Sequence, residues 1–512
     1  MKLTIVALKK TINSNLCLIL IILTAIYLRF YLLDNLPGEI FGDIYANLDD
    51  VKNILSCHFP VFAPANTGRE VMLFYLVAIT AHLSKLNYLS LKITTALIGI
   101  STIPPLYLFT KNLFDKKTAI FSSFILATSS WHIVFSRLGF RTILTPLFVI
   151  LTLHSFLRAL KSKKNIDFAI AGTMLGFGMY TYTAFRIMPF IMLIILIWQI
   201  LVKSKIQKLL PKYGIYTAFF ILILLPLAIY IVKNPASYWS HSSQMFNKVK
   251  SLDILIKLIV NIKNQSLMFF TRGDVVFRVN PVRKPLIDIL SSTFFIVGLL
   301  IILVRKKIEY LQFILLPFIM LNLPSIFVLN YPDDIPSATR STGIIPFVSI
   351  IVAVGIITVF KYIKKYSKII ASVFLVSSLF LIFYTNYVNY FNNYADGLPN
   401  HNIAFSRKIA EKIDKLPNNV SVFIYSCCWG EWGQPEPKGI KYALSKPKDI
   451  VFINQSANFS LENISKQNYY FIIDPRKLDF IKTLQQSLPN GSLKEEYSPF
   501  KDLIYLTYTD LL

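Results

Sequence analysis

Acidic residues are scarce in this chain. Its 512 residues hold 27 Asp and Glu against 53 Lys and Arg, a net charge of +26. The excess does not mark a nucleic-acid binder, because the basic residues are not gathered on a polar domain. They sit in short loops between apolar runs, where the positive-inside rule puts them and where anionic lipid headgroups attract them. Cysteine is scarce too: Cys17, Cys57, Cys427 and Cys428 are four. Cys17 lies in an apolar run, and neighbouring Cys427 and Cys428 rarely bridge each other, so a disulfide framework is excluded. There is no CxxC metal pattern, no internal repeat and no low-complexity segment. Charge is missing altogether from long stretches such as Ile215 to Val232 and Ile344 to Val359.

What is present is apolar. Hydrophobic residues make up 54% of the chain and the mean hydropathy is +0.55, above what a soluble domain sustains. The runs are about 17–23 residues long, the length that crosses a hydrocarbon core. Lys2, Lys9 and Lys10 precede the run Leu16 to Leu28, which Arg29 and Tyr31 follow in place of a small-residue cleavage site. This predicts an uncleaved signal anchor with a cytoplasmic N-terminus.

Five basic loops orient the rest: Lys111 to Lys117, Arg158 to Lys164, Lys203 to Lys212, Arg305 to Lys307, and Lys361 to Lys368. All should be cytoplasmic, so an even number of crossings separates each from the next. Spans are expected near 91–109, 118–135, 143–157, 168–183, 187–202, 213–232, 289–304, 310–328, 343–360 and 369–388, after the anchor. The run Val71–Leu86 is short, and His82 and Lys85 interrupt its end. Counting it as a crossing would put Lys111 outside, so it is expected to lie at the membrane surface or re-enter. The count is about eleven. The expected architecture is a polytopic α-helical membrane domain over 1–390, with external loops at 33–89 and 233–288. An extracytoplasmic α/β domain over 391–512 follows, with strands at Val420–Tyr425, Ile450–Asn454, Tyr469–Ile473 and Leu503–Thr507 and helices at Ala404–Leu416 and Lys477–Ser487. No catalytic motif stands out in it.

The unusual residues fall on the external side. Arg137, Arg141, Arg186, Arg272, Arg278 and Arg340 all sit at external span ends, against the positive-inside trend. One such arginine is explained by snorkelling or by pairing with Asp or Glu. Six on one face point to an anionic headgroup, because a guanidinium grips phosphate oxygens bidentately. A sugar on a lipid phosphate is already activated. Its transfer needs a base for the acceptor hydroxyl and cations for the departing phosphate. Asp43, in the first external loop, could be that base; a lone loop Asp is otherwise a turn or helix-cap residue.

The order Pro-Gly-x-x-x-x-Asp43, Gly-Arg-Glu70, Ser-Arg137-x-Gly-Phe-Arg141 and Tyr-Thr-Tyr182-Thr-Ala-Phe-Arg186 resembles bacterial members of the dolichyl-phosphate-mannose protein mannosyltransferase family, glycosyltransferase family 39. Arg272-Gly-Asp274 through Asn280-Pro and Pro285-Leu-x-Asp288 resembles the same group. The family shares the type C superfold with the lipid A aminoarabinose transferase, and the likeness covers about Leu36 to Pro346. It implies a polyprenyl-phosphate sugar donor, inverting transfer on the outer face of the cell membrane, and an acceptor that is protein, lipid or glycan. It also implies an acidic residue in the first loop, matched by Asp43. Many members carry an Asp-Glu pair there; Ile44 follows here, so Glu70 is the candidate for the second carboxylate. The candidate site is thus Asp43 and Glu70 for catalysis, Arg137, Arg141, Arg186, Arg272 and Arg340 for the donor phosphate, and Tyr182, Asp274 and Arg278 for substrate. No metal-ligand set is visible, and dependence on a divalent metal is left open. The alternatives are a lipid-linked oligosaccharide polymerase or ligase, and a transporter or flippase, which would be expected to show internal repeats and charges near the bilayer midplane.

Overall fold

The computed structural model describes residues 2–39, 42–202, 209–245, 251–425, 437–453, 464 and 468–511, with side chains at 2–14, 43, 202, 251, 252, 332 and 400 left out. Cys427 and Cys428, and most of the expected basic loop around Lys205, lie outside the described residues.

Each of the expected spans falls on a helix. Seven described helices are long and apolar enough to cross a membrane, and an eighth if the bent pair Lys116–Thr128 and Ser130–Arg137 counts as one. Asn15–Phe30 and Ile289–Arg305 are apolar but shorter, and Asn165–Gly178 has only 14 residues. Met72–Leu83 has 12 residues, about 18 Å of helix against a core of about 30 Å, so it is too short to span.

Side-chain caps set the boundaries. Asn87 and Ser90 form a capping box at the start of Tyr88–Ser101, and Asp115, Asp288 and Ser367 accept from the third residue of the helices they precede. Where the Lys116 pair bends by 55°, the freed Ser130 N–H donates to Asn386 Oδ1 at 2.8 Å. A broken helix in a membrane needs such a partner. Small residues let the central helices approach. A Cβ on Gly298 would stand 1.9 Å from Ile351 O and one on Gly355 2.0 Å from Phe294 O, so Ile289–Arg305 and Ile345–Lys364 pack backbone to backbone.

The C-terminal domain is a five-stranded mixed sheet in the order Ile450–Ile453, Val420–Tyr425, Asn468–Ile473, Leu503–Thr509, Ser492–Tyr497. The first three strands run parallel; the last two join antiparallel. Helices Phe405–Asp414, Pro437–Ala443 and Leu478–Ser487 accompany it.

Candidate functional site

A cavity of about 230 Å³ opens at the end of the helical bundle that carries the C-terminal domain. Its walls come from six parts of the chain. Leu138 and Phe140 flank Gly139, whose φ of +79° makes the tight turn after Ser130–Arg137. Tyr182, in extended backbone ahead of the turn Thr183–Ile187, supplies the next wall. His241 comes from the helix Pro235–Gln244, and Ile44 from the first turn of the helix Gly42–Leu55. Asp274, Arg278 and Val279 belong to one loop, and Asp334, Ser337 and Arg340 to another.

Asp274 joins those two loops. Its Oδ1 accepts from the Val276 N–H at 2.8 Å and its Oδ2 from the Ala338 N–H at 2.6 Å. Burial pushes this carboxyl up to about 6, although the two N–H groups and Arg340 work the other way. His241 is held down to about 4, by burial first and then by Arg141 and Arg340, so the imidazole is neutral at pH 7. Arg340 makes a loose ion pair with Asp334, 3.5 Å apart.

Behind Tyr182 lies a second group. Glu70 is 1% exposed and sits between Arg186 at 2.9 Å and Arg141 at 3.4 Å, with the Thr183 hydroxyl donating at 3.0 Å. Burial opposes its charge, but the two guanidiniums outweigh this and hold the carboxyl below its ordinary value. Arg141 in turn lies 5.4 Å from the Tyr182 ring centre, and Arg186 stacks 3.8 Å from that of Tyr238.

The candidate residues therefore divide. Tyr182, Asp274, Arg278 and Arg340 line the cavity, and Glu70, Arg141 and Arg186 brace it from behind. Arg137 does not reach it: fully buried, it donates to Leu28 O at 2.8 Å and Leu36 O at 3.1 Å and packs on Tyr390. Arg272 is exposed and outside the cavity wall. The side chain of Asp43 lies outside the described residues; its backbone starts the Gly42–Leu55 helix, one residue before Ile44 on the wall. Among the described residues no group of three or more His, Cys, Asp or Glu is placed to hold a metal ion.

The other carboxylates of the first loop are engaged. Asp34 pairs with Arg407 at 2.9 Å, Asp50 with Arg69 at 2.7 Å, and Asp49 with Lys438 and the Tyr442 hydroxyl. Glu39 accepts from Tyr45 at 3.0 Å and from the Ser406 N–H at 2.6 Å. Arg407, Ser406, Lys438 and Tyr442 all belong to the C-terminal domain, which is thus clamped onto the loop that carries Asp43.

Residues 69–230 match the sequence model of the family described as dolichyl-phosphate-mannose-protein mannosyltransferase. That stretch, about a third of the chain, is similar to this mannosyltransferase family. The matched stretch contains Glu70, Arg137, Arg141, Tyr182 and Arg186. Among solved structures, ArnT from Cupriavidus metallidurans bound to undecaprenyl phosphate superposes with a TM-score of 0.59 at 12% identity, over 96% of this chain and 98% of that one. Its apo form gives 0.58 at 11%, over 96% and 97%. The archaeal oligosaccharyltransferase AglB from Archaeoglobus fulgidus, in complex with an inhibitory peptide and a dolichol-phosphate, gives 0.54 at 15%, over 97% and 74%. Identities this low show a shared fold. No curated protein matched the sequence.

Sequence reasoning missed several residues that the protein uses structurally. His241, on the helix Pro235–Gln244, and Asp334, on the turn Pro332–Asp334, join the cavity only through the way the fold sets their elements. Arg29 and Lys92 were not singled out, and both are fully buried. Arg29 reaches His132 Nδ1 at 2.7 Å and Ala127 O at 2.9 Å; Lys92 donates to Pro37 O at 2.5 Å and Leu33 O at 3.1 Å. Lys92 and Arg137 tie down the backbone carbonyls that lead into the first loop, and Arg29 ties the end of the first helix to Ala127 and His132. Nothing in the local sequence separates a cation that binds carbonyls from one that faces lipid headgroups.

Proposed function

We propose that this protein is an inverting glycosyltransferase that moves a sugar from a polyprenyl-phosphate donor to a protein, lipid or glycan acceptor. In this reading it is a multi-pass protein of the cell membrane with eleven crossings, a cytoplasmic N-terminus and the C-terminal domain outside, so that the cavity faces the outer leaflet. The observation that carries the proposal is the cavity itself, with Arg340 and Arg278 on its wall and the Asp43 helix beside it. The superposable ArnT and AglB structures, which hold polyprenyl-type phosphates, support the donor class.

Arg340 and Arg278 would hold the donor phosphate, its sugar lying against Tyr182. Asp43 would take the proton from the acceptor hydroxyl. The acceptor oxygen then attacks the anomeric carbon from the face opposite the phosphate, the carbon–oxygen bond to phosphate breaks, and polyprenyl phosphate leaves with the bonding electrons. The cations compensate the charge that develops on the departing oxygen. Five of the six carboxylates in loop 33–89 already have partners: Asp34, Glu39, Asp49, Asp50 and Glu70. In this reading the base is Asp43, one residue before Ile44 on the cavity wall. Glu70 is a poor base because two arginines favour its ionised form; its role in this reading is to hold Arg141 and Arg186 in place. Asp274 joins the two loops that present the phosphate arginines, and Arg137 fixes the loop entrance.

The test is to incubate the purified protein with polyprenyl-phosphate sugars and a membrane extract as acceptor source. The reading predicts release of polyprenyl phosphate together with transfer of label to the extract. Donor that stays intact with every sugar tried overturns it.

A further inference from the structure

The two carboxylates on the cavity wall differ. Both oxygens of Asp274 are taken by backbone N–H groups at 2.8 and 2.6 Å. Asp334, on the short turn Pro332–Asp334, has a side chain 44% exposed. Its ion pair is one contact, Oδ2 to Arg340 Nη2, at 3.5 Å. A committed arginine–carboxylate pair makes two parallel bonds near 2.8 Å. Glu70 shows what commitment looks like here: it is 1% exposed, with Arg186 at 2.9 Å. The Arg340 pair is long, single and wet, the kind that contributes little to stability and exchanges readily. Among the described residues, Asp334 is also the one carboxylate within ion-pair distance of Arg340.

We propose that Asp334 is a placeholder for phosphate on Arg340. In the empty site its carboxylate occupies the guanidinium edge that the donor phosphate will take. When a lipid-linked phosphate arrives, the carboxylate withdraws on its short turn and Arg340 turns to the phosphate oxygens. After transfer, the returning carboxylate competes with polyprenyl phosphate for Arg340 and hastens its departure. The idea rests on the donor reading above and adds to it a residue that weakens product binding. A competitor held near the guanidinium lowers apparent affinity by the fraction of sites it occupies.

The experiment measures binding of a long-chain polyprenyl monophosphate in detergent micelles to wild type, Asp334→Asn, Arg340→Ala and the double variant. Neutral polyprenol serves as the control lacking phosphate. Asp334→Asn should bind the phosphate about 1.5- to 5-fold more tightly, the size expected when a weak surface pair is removed. Arg340→Ala should bind it more weakly, and adding Asp334→Asn to Arg340→Ala should change nothing further. Polyprenol binding should be the same in wild type and Asp334→Asn. If wild type binds the phosphate but Asp334→Asn binds it no more tightly, or tightens on polyprenol as well, the placeholder role is wrong while the donor reading stands. If folded wild type does not distinguish the phosphate from polyprenol, the donor reading falls and the placeholder falls with it.

Discussion

Glu70 and Asp274 are both buried carboxylates, yet their surroundings push them in opposite directions. Glu70 is held below its ordinary value of 4.5 by Arg186 and Arg141, which overcome its burial. Its contribution to stability is present above that ordinary value and is lost as pH falls through the lower folded value. Glu70→Gln leaves two guanidiniums facing a neutral amide in a buried site. It should cost about 3–5 kcal/mol in denaturant unfolding, the range for breaking a buried pair. A variant as stable as wild type would mean that the arginines find other partners. Asp274 behaves oppositely, since burial lifts it from 3.8 to about 6. Its contribution is present below 3.8 and is lost as pH rises through about 6. Asp274→Asn should therefore flatten the fall in thermal stability between pH 4 and 6, read from melts in detergent; an unchanged slope would assign that fall to another group. Sequence could place Glu70 and Asp274 in external stretches. It could not show that Glu70 closes on Arg186, which is far along the chain, because that pairing depends on how the helices pack.

Elements were legible wherever one physical signal dominated. The apolar runs located the helices, and the weak, charged end of Val71–Leu86 matches a 12-residue helix. Strands rich in Val, Ile, Phe and Tyr were readable from that composition, and Asn468–Ile473 and Leu503–Thr509 are buried almost throughout. Ser492–Tyr497 was missed: it carries Lys494, Glu495 and Glu496, lies at the sheet edge and is largely exposed, so no burial pattern marks it. The clamp between the first loop and the C-terminal domain was also invisible, because its partners are separated by more than 300 residues. Arg407 anchors it, bonding Asp34 Oδ2 and Asp34 O, each at 2.9 Å, and stacking on Tyr88 at 4.8 Å. Arg407→Ala should speed amide hydrogen exchange in residues 33–55 while leaving exchange in Ile345–Lys364 unchanged. Exchange in residues 33–55 as slow as in wild type would show that the loop is ordered without the clamp. At the centre of the bundle, Gly298→Val would push a side chain into Ile351 O, and the yield of folded protein should fall sharply.

The whole molecule joins a membrane bundle to a domain that grips its first loop, and the account requires that loop and that domain on the outer side. A cysteine at Ser492, exposed on the edge strand, should react with an impermeant maleimide on intact cells when the native cysteines are replaced. Reaction only after permeabilisation would reverse the orientation. The central claim is that Asp43 drives sugar transfer from a polyprenyl phosphate. It is tested most directly by following release of polyprenyl phosphate from labelled donor by wild type and Asp43→Asn, with donor binding measured on the same samples. Removing a positioned base should slow release about 10²–10⁴-fold while donor affinity stays near that of wild type. Equal release by the two proteins would contradict the account.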